Sequence, residues 1–480
     1  MSSLSSLRPA EDLASLTATE ALFRFRRGAL SPLALVDDCL ARIERENPAI
    51  NAFAHVAAAS ARAAARASEA RWRAGTPCGP LDGIPVTLKD MTRTAGMPTR
   101  LGSLTTPAEG PWRDDAPIAV QLHAAGAVLL GKTTTPEYGW KAVTDSPLTG
   151  VTRNPWDTRL TPGGSSGGAA AAAALNLGLL HQGSDAGGSI RIPCAFTGTV
   201  GLKPTFGWVP QWPASAMGIL SHLGPIARRV EDVALMLETL GRPDPRDGYL
   251  GNPHRPDWLT PPPPDLRGWR VALSLDLGYV EVAPDIAARV REAAERLREL
   301  GARVEEVTPG FACPLETFNT LWFAGASQLL ASWSEAQRRL LDPGLLDIAL
   351  RGAALTLADY LAACRARERL TAQLADFHRR FDLLVTPSLP LSPFTAGSDV
   401  PPGGPYREWM EWTPFSYPFN LTQQPAISLP CGLDDRGLPV GLQLVGARFD
   451  DLRVIQAARL LEARLPRQFP ETARRAAKDE

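Results

Sequence analysis

Apolar positions recur at helical spacing through the first part of the chain. In TATEALFRFRRGALSPLALVDDCLARIERENPAINAF the apolar residues lie three and four apart, and VAAASARAAARASEARWRAG continues that pattern. We therefore predict helices over residues 9–75, broken at Gly28 and Pro48.

From residue 83 onward, short apolar runs alternate with helical segments. GIPVTLKD (83–90) predicts a strand that ends in a charge pair, and APIAVQLHAAGAVLLGKT predicts a helix, a glycine turn and a buried strand. Residues 270–307 predict strand, helix and strand, and three more strands follow in FDLLVTPSLP, AISLPCGL and PVGLQLVG. This alternation predicts an α/β fold with a large mixed sheet core covered on both faces by α-helices.

One stretch breaks the alternation. Residues 241–266, GRPDPRDGYLGNPHRPDWLTPPPPDL, have no periodicity and are rich in Pro and Asp. Because strand patterns resume after it, we predict a single catalytic domain over 76–470 with a mobile connection at 241–266. Residues 1–75 are predicted to form a helical segment that packs on this domain.

Composition and charge exclude several classes of protein. The chain is 44% apolar and 21% charged with a formal net charge of −1, so it has no basic footprint for nucleic acid or an anionic membrane. Its 6 cysteines are far apart in sequence and form no Cys/His cluster, which indicates reduced thiols and no structural zinc site. The start, MSSLSSLRPAEDLASL, is unlike a secretory signal, and AAAAAALNLGLL (169–180) is too short to span a bilayer. We expect a cytoplasmic protein.

Two motif matches fail on their context. GAVLLGKT (126–133) satisfies the P-loop pattern, but a P-loop lies between a strand and a following helix, and here an apolar strand follows a helix. A P-loop nucleotide-binding protein is therefore the disfavoured alternative from another class. GGSSG (163–167) fits the nucleophile elbow, but loop-like residues precede it and the later histidines lie in ordinary settings.

In three other segments, a polar group lies at the end of an apolar or glycine-rich run. These segments are GIPVTLKD with Lys89, TPGGSSGGAAAA with Ser165 and Ser166, and GSDAGGSIRIP with Ser189. Alone, Lys89 would be an ordinary solvated lysine, and the glycines would be ordinary turns and caps. Together they suggest nucleophilic catalysis, because a serine needs a base, a buried lysine can be neutral, and a second serine can relay the proton. The glycines suit an oxyanion hole built of backbone N–H groups.

These segments resemble the amidase signature family of serine hydrolases. The matching text extends over roughly residues 10–465 and includes GIPVTLKD, GAVLLGKTTTPEYG, TRNPWDTRLTPGGSSGGAAAA, GSDAGGSIRIPCAFTGTVGLKPT, GPIARRVEDVALML and FSYPFNLTQQPAISLPCG. The resemblance implies the amidase signature fold, with Ser189 as the acyl-forming nucleophile and Lys89 as the general base. It implies that Ser165 bridges the two and follows a cis peptide bond.

The resemblance also assigns supporting roles. Backbone N–H groups for the oxyanion would come from Ala186, Gly187, Gly188 and Ser189, while Ser166, Asp185 and Arg191 would support the site. The sequence departs from the family pattern at three positions without losing a catalytic group: Ser184 stands where Thr is common, Ala186 where Thr or Ile is common, and Cys194 where Ala is common.

The implied activity is hydrolysis of a carboxamide, with esters and carbamates as further substrates, and no cofactor. Aromatic residues in PYREWMEWTPFSYPF (405–419) predict a pocket for hydrophobic or aromatic small molecules, formed by Trp409, Trp412, Phe415 and Tyr417. TFNTLWFAGA (317–326) adds further aromatic residues, and ordinary core packing is the alternative for both segments.

One branch of the family supplies the amidase component of a glutamine-dependent tRNA amidotransferase, which works only with partner proteins. TTTPEYGWK stands where that branch has an Asn-Met-Asp-Glu-Phe-like run. We therefore predict a stand-alone amidase, a monomer or homodimer without nucleic-acid or membrane partners. The amidotransferase component is kept as the alternative.

Overall fold

The computed structural model describes residues 13–249, 255–470 and 472–473. Its helices are α1 (Ala18–Arg26), α2 (Pro32–Ile50), α3 (Ala58–Arg73), α4 (Pro117–Ala124), α5 (Gly167–Ala174), α6 (Arg191–Thr197), α7 (Val230–Leu240), α8 (Pro284–Glu299), α9 (Leu315–Leu330), α10 (Glu335–Arg338), α11 (Pro343–Ala353), α12 (Leu357–His378), α13 (Pro418–Leu421) and α14 (Asp451–Glu462). Among the described helices, none combines the length and the apolar character needed to cross a membrane.

The strands are β1 (Phe53–Val56), β2 (Pro85–Lys89), β3 (Val128–Thr133), β4 (Asp145–Ser146), β5 (Gly150–Val151), β6 (Leu180–Asp185), β7 (Val200–Lys203), β8 (His222–Ala227), β9 (Arg270–Leu273), β10 (Arg303–Glu306), β11 (Leu383–Pro387), β12 (Ala426–Leu433) and β13 (Pro439–Gly446). Within the described residues, 11 of them form one sheet in the order β1-β3-β2-β6-β8-β7-β12-β13-β11-β9-β10. The sheet is mixed and flanked by helices, which confirms the predicted α/β class.

The pairing of β2 with β6 positions the candidate site. These strands are parallel neighbours, with Val86 opposite Leu180 and Thr87 opposite His181. Their carboxyl ends therefore meet at one edge of the sheet. Lys89 ends β2 and Asp185 ends β6, so residues almost 100 positions apart in sequence become neighbours.

Helix α5 fixes the two candidate serines that precede it. All eight of its Gly and Ala residues are buried. A Cβ atom added to Gly167 would lie 2.3 Å from Thr144 Oγ1, and one added to Gly168 would lie 2.3 Å from Thr134 Oγ1. Because only glycine fits at either position, the helix starts tightly against its neighbours and holds Ser165 and Ser166 in place.

The N-terminal region contains a strand that the helical prediction over 9–75 missed. β1 pairs antiparallel with β3 at the edge of the sheet. Its four residues are too few for a two-residue alternation to stand out between two helices. The predicted break at Pro48 is also wrong, because α2 continues past that proline to Ile50 and ends at Asn51, whose φ of 50° is left-handed. A proline in the last turn removes only one backbone hydrogen bond. Residues 9–12 lie outside the described residues.

The described part of the 241–266 connection packs on the core. Trp258 is fully buried, and its ring lies 5.6 Å from that of Trp208 in an edge-to-face contact. Leu266 is fully buried as well. These two side chains anchor the connection to the core, residues 250–254 lie outside the description, and the mobility of the connection stays a prediction. The domain boundaries at 75 and 76 stay a prediction.

Candidate active site

A buried lysine lies at the centre of the site. Lys89 Nζ donates to Ser165 Oγ at 2.7 Å, to Ser184 Oγ at 2.9 Å and to Ser166 Oγ at 3.1 Å. Burial lowers the pKa of Lys89 to about 7, and the charge of Asp185 opposes that shift only in part. The amine is therefore able to exchange a proton near neutral pH.

The two serines before α5 differ in where their protons can go. Ser166 Oγ donates to the backbone carbonyl of Ser184 at 3.1 Å, so its proton already has an acceptor. Ser165 Oγ accepts from Lys89 and donates to no other group among the described residues. Its proton is therefore available to a neutral lysine. The peptide bond between Gly164 and Ser165 is cis.

Ser189 lies on the loop between β6 and α6 and is 7% exposed. Its backbone carbonyl accepts from the N–H of Ser166 at 3.1 Å, which joins the two serine loops. Its hydroxyl forms no hydrogen bond within the described residues. The structure thus brings Lys89 and Ser165 into contact and places the Ser189 loop against theirs, without a hydrogen bond between the Ser165 and Ser189 hydroxyls.

The predicted set of oxyanion donors needs one correction. The N–H of Gly188 donates to Asp185 Oδ1 at 2.8 Å, so this group is already committed to a carboxylate. The N–H groups of Ala186, Gly187 and Ser189 donate no hydrogen bond within the described part of the chain. Gly188 instead shapes the loop, because its φ is +125° and an added Cβ would lie 2.4 Å from Ser416 Oγ.

An ion pair between Asp185 and Arg191, both fully buried, holds this loop. Arg191 Nε donates to Asp185 Oδ2 and Nη2 to Oδ1, both at 2.9 Å. The remaining guanidinium donors contact the carbonyl of Ser416, the amide of Gln443 and the amide of Asn420. Burial alone would raise the pKa of Asp185, but the charge and hydrogen bonds of Arg191 hold it well below its usual range. The predicted supporting residues Asp185 and Arg191 thus meet in one bidentate pair.

Sequence reasoning missed several members of this network. In the sequence, Ser184 is only a departure from the family pattern, yet its hydroxyl is one of the three that surround Lys89 Nζ. Asn420 and Gln443 lie in the C-terminal segments quoted for the resemblance or predicted as strand, and both contact Arg191. The available signal was that FNLTQQPA and PVGLQLVG carry amide side chains inside apolar runs.

A cavity of about 610 Å³ opens beside Ser184 and Gln182. Its other lining residues are mostly apolar or aromatic and include Met91, Leu101, Pro107, Pro111, Trp112, Tyr138, Trp212, Pro213, Met217 and Leu329, with Arg93, Arg113 and Asp114 among the charged ones. Lys89, Ser165 and Ser189 do not line it, and Ser184 is its contact with Lys89. Gly139 lies between this wall and Ser165, because a Cβ added there would lie 2.8 Å from Met91 Sδ and 3.4 Å from Ser165 Oγ.

The four residues predicted to form an aromatic pocket do not line this cavity: Trp409, Trp412, Phe415 and Tyr417. Tyr417 and Trp409 pack on Phe318, with ring centroids 4.9 Å and 5.9 Å away. Phe318 and Trp409 also lie against Gly187, so these rings support the loop that carries Ser189. Trp412 stacks on Phe196 at 6.0 Å. Phe415 is fully buried in the same apolar cluster, so core packing accounts for the last two.

The P-loop-like segment forms the buried strand that its apolar residues predict. Lys132 in β3 is fully buried and donates to the carbonyl of Thr92 and to Thr99 Oγ1. Across the described residues, no three His, Cys, Asp or Glu side chains are arranged to hold a metal ion. All six cysteines are free thiols.

The chain is similar to known proteins over most of its length. The family model Amidase matches residues 34–455. An acylamidase of Rhodococcus erythropolis is 36% identical over 464 residues, which cover 95% of this chain and 97% of the relative. The crystal structure of a bacterial aryl acylamidase of the amidase signature family superposes with a TM-score of 0.87 at 30% identity and covers 94% of this chain and 96% of its own.

A relative of a different kind matches equally well. The A-type subunit of the glutamyl-tRNA(Gln) amidotransferase of Symbiobacterium thermophilum is 37% identical over 462 residues. The match covers 90% of this chain and 93% of the relative. Overall identity therefore does not separate the acylamidase from the amidotransferase relatives.

Proposed function

Since this chain belongs to the amidase signature family, whose amidases hydrolyse carbon–nitrogen bonds other than peptide bonds, we propose that it hydrolyses carboxamides with Ser189 as nucleophile. Ser165 relays the proton and Lys89 is the general base. The observation that carries this assignment is the 2.7 Å contact between Lys89 Nζ and Ser165 Oγ. Burial that lowers the pKa of Lys89 to about 7 supports it, because only a neutral amine can accept a proton.

In the proposed first step, Ser189 Oγ attacks the carbonyl carbon of the substrate. The proton of Ser189 passes to Ser165 Oγ as the proton of Ser165 passes to Lys89 Nζ. The carbonyl oxygen becomes an oxyanion, and the backbone N–H groups of Ala186, Gly187 and Ser189 are the donors free to bind it.

The tetrahedral intermediate then collapses and the carbon–nitrogen bond breaks. Lys89 returns its proton through Ser165 to the leaving nitrogen, so the amine departs neutral and the acyl group stays on Ser189. A water molecule attacks this ester through the same relay and releases the carboxylic acid. Esters and carbamates would react by the same steps.

The cavity beside Ser184 favours hydrophobic or aromatic small-molecule amides. Its walls carry Trp112, Tyr138 and Trp212 together with two methionines, Met91 and Met217. Such a lining binds apolar groups by burying their surface, and its few polar residues orient them. The acylamidase and aryl acylamidase relatives support the same substrate class.

The amidase component of a glutamyl-tRNA(Gln) amidotransferase is the second candidate, and the 37% identity to such a protein favours it. The two candidates differ in what the purified chain does alone. A stand-alone amidase turns over simple anilides without partner proteins, whereas an amidotransferase component needs its partners for activity.

Labelling with a fluorophosphonate, followed by intact-protein mass spectrometry and peptide mapping, tests the proposal. We expect one adduct, on Ser189, and a greatly slowed reaction in Lys89→Ala, because the probe reacts with a serine only when a base removes its proton. An adduct on Ser165 would assign the nucleophile to the GGSSG segment and contradict the proposed roles. An unlabelled wild-type protein would favour the amidotransferase component.

Trp212 offers a test of the substrate class. Its ring lines the cavity. The guanidinium of Arg93 lies 5.7 Å from the centroid of this ring, and the guanidinium of Arg246 lies 5.0 Å from it. Trp212→Ala is expected to raise the KM for an aryl anilide by about tenfold with kcat nearly unchanged, because the lost contact is the same in ground and transition states.

Steady-state kinetics on an aryl anilide and on a short aliphatic amide measures this effect. Phe23→Ala, which removes an exposed aromatic ring outside the cavity, is the matched control and should leave both constants unchanged. An equal rise in KM for both substrates would contradict recognition of an aromatic group by this wall.

A further inference from the structure

A second cleft exposes two arginines. It is separate from the cavity beside Ser184, which we call the catalytic cavity because the Ser184 hydroxyl contacts Lys89 Nζ. Arg367 on α12 and Arg448 on the loop between β13 and α14 line an open space of about 450 Å³. Phe206, Tyr249, Phe449 and Gln423 lie around them. We call this space the arginine cleft.

Among the described residues, no acidic side chain forms an ion pair with either guanidinium group of the arginine cleft. Arg367 Nε donates to the backbone carbonyl of Leu421 at 2.7 Å, which fixes the side chain in place. Its terminal nitrogens, and the whole guanidinium of Arg448, donate no hydrogen bond and form no ion pair within the described residues. Burial lowers the pKa of both groups, and the charge of Arg448 lowers that of Arg367 further. The charge of Glu368, the next residue on α12, raises the pKa of Arg367 in part, but Glu368 forms no ion pair with either arginine within the described residues.

The aromatic residues of the arginine cleft are held with their rings accessible. Tyr249 is 53% exposed and packs edge-to-face on Phe206 with centroids 5.4 Å apart. Phe449 is 39% exposed, and its φ of 70° is left-handed, a conformation that a bulky residue rarely adopts. The hydroxyl of Thr205 accepts from the Phe449 N–H at 2.9 Å and holds this turn. The guanidinium of Arg448 lies 4.9 Å from the Phe449 ring centroid, so ring and charge face the same space.

The arginine cleft is too poorly connected to the catalytic cavity to be part of the same substrate site. Phe206 and Tyr249 also line a small cavity between the two. This small cavity shares five lining residues with the catalytic cavity: Gln211, Ala214, Ser215, Ser221 and Leu223. That intervening cavity has a volume of about 30 Å³. Such a space holds about two water molecules and no substrate chain. An occupant of the arginine cleft would therefore be a second molecule.

We propose that the arginine cleft binds a small aromatic oxyanion, with its carboxylate or phosphate group between Arg367 and Arg448 and its ring beside Tyr249 and Phe449. A guanidinium presents a planar set of donors that matches the oxygens of either group and forms two parallel hydrogen bonds. The aromatic faces add stacking and cation–π contacts. The anion would supply the ion-pair partner that both guanidinium groups lack among the described residues.

Isothermal titration calorimetry on the full chain at low salt tests this proposal, with phenyl phosphate, benzoate and inorganic phosphate as probes. We expect saturable one-site binding, tighter for phenyl phosphate than for inorganic phosphate. Arg448→Gln should weaken binding by about tenfold or more, because one of two charge-assisted contacts is lost. Arg367→Lys keeps the charge but loses the planar donor set, and should weaken binding as well. Arg365→Gln removes an exposed charge from the same helix, outside the cleft, and should leave the affinity within about twofold of wild type.

The comparison of benzoate with phenyl phosphate shows whether the preferred group is a carboxylate or a phosphate, and either result supports the site. Absence of saturable binding by all three probes up to about 10 mM would overturn it. So would affinities that are unchanged in both Arg448→Gln and Arg367→Lys, since the anion would then bind elsewhere, the catalytic cavity included. Equal affinity for phenyl phosphate and inorganic phosphate would overturn the contribution of the rings.

Discussion

Ser189→Ala is expected to reduce kcat/KM for an aryl anilide by roughly 10⁴-fold or more, because no acyl-enzyme can form without the hydroxyl. The fold should be unaffected. The Ser189 hydroxyl forms no hydrogen bond within the described residues, so its removal leaves no buried partner unsatisfied. The ion pair of Asp185 with Arg191, which holds the loop, stays in place.

Steady-state kinetics and thermal unfolding, measured side by side, check this prediction. Ser332→Ala is the matched control, because Ser332 is exposed and its hydroxyl, within the described part of the chain, donates only to the backbone carbonyl of Leu329. It should retain full activity. A Ser189→Ala protein that still turns over the anilide, together with an inactive Ser165→Ala, would transfer the nucleophile to Ser165. A Ser189→Ala protein that melts well below wild type would show that the hydroxyl has a structural role.

Much of the catalytic arrangement could be predicted from short segments whose pattern is unambiguous. The apolar run before Lys89 predicts a strand, and the structure has β2 ending at that residue. The mixed sheet likewise follows from strands that alternate with helices. The contact between Lys89 and Ser165 could be predicted only from the family resemblance, because 76 positions separate the two residues and no local sequence pattern encodes a contact over that separation.

The finer parts of the site depend on packing that a sequence does not display. In the sequence, Gly188 is as suitable for an oxyanion hole as its neighbours are. In the structure, its N–H donates to the side chain of Asp185. Ser184 contacts Lys89 only because β6 lies beside β2. The aromatic residues of 409–417 predict a pocket from their composition, but aromatic clusters occur both in cores and in binding sites. Composition does not separate these two uses, and here Trp412 and Phe415 belong to the core.

The rate of the wild-type enzyme is expected to depend on the protonation of Lys89. Burial lowers the pKa of this amine to about 7, so the amine is protonated below that pH and neutral above it. Because the base must be neutral, kcat/KM should rise about tenfold per pH unit below neutrality and level off above about pH 7 to 8. Lys89→Met removes the base and should reduce kcat/KM by about 10³-fold or more above about pH 8, with a smaller difference at acidic pH, where the wild-type amine is protonated as well.

The same lowered pKa gives a second readout that does not depend on turnover. Between about pH 7 and about pH 10, Lys89 is neutral in the folded protein but protonated in the unfolded chain, so the unfolded state binds more protons. The free energy of unfolding of wild type, relative to Lys89→Met, should therefore rise with pH across this window. Subtracting the variant cancels the groups that titrate alike in both proteins. A level kcat/KM from about pH 5 to about pH 9, with no pH dependence in this stability difference, would mean that Lys89 stays charged and is not the base.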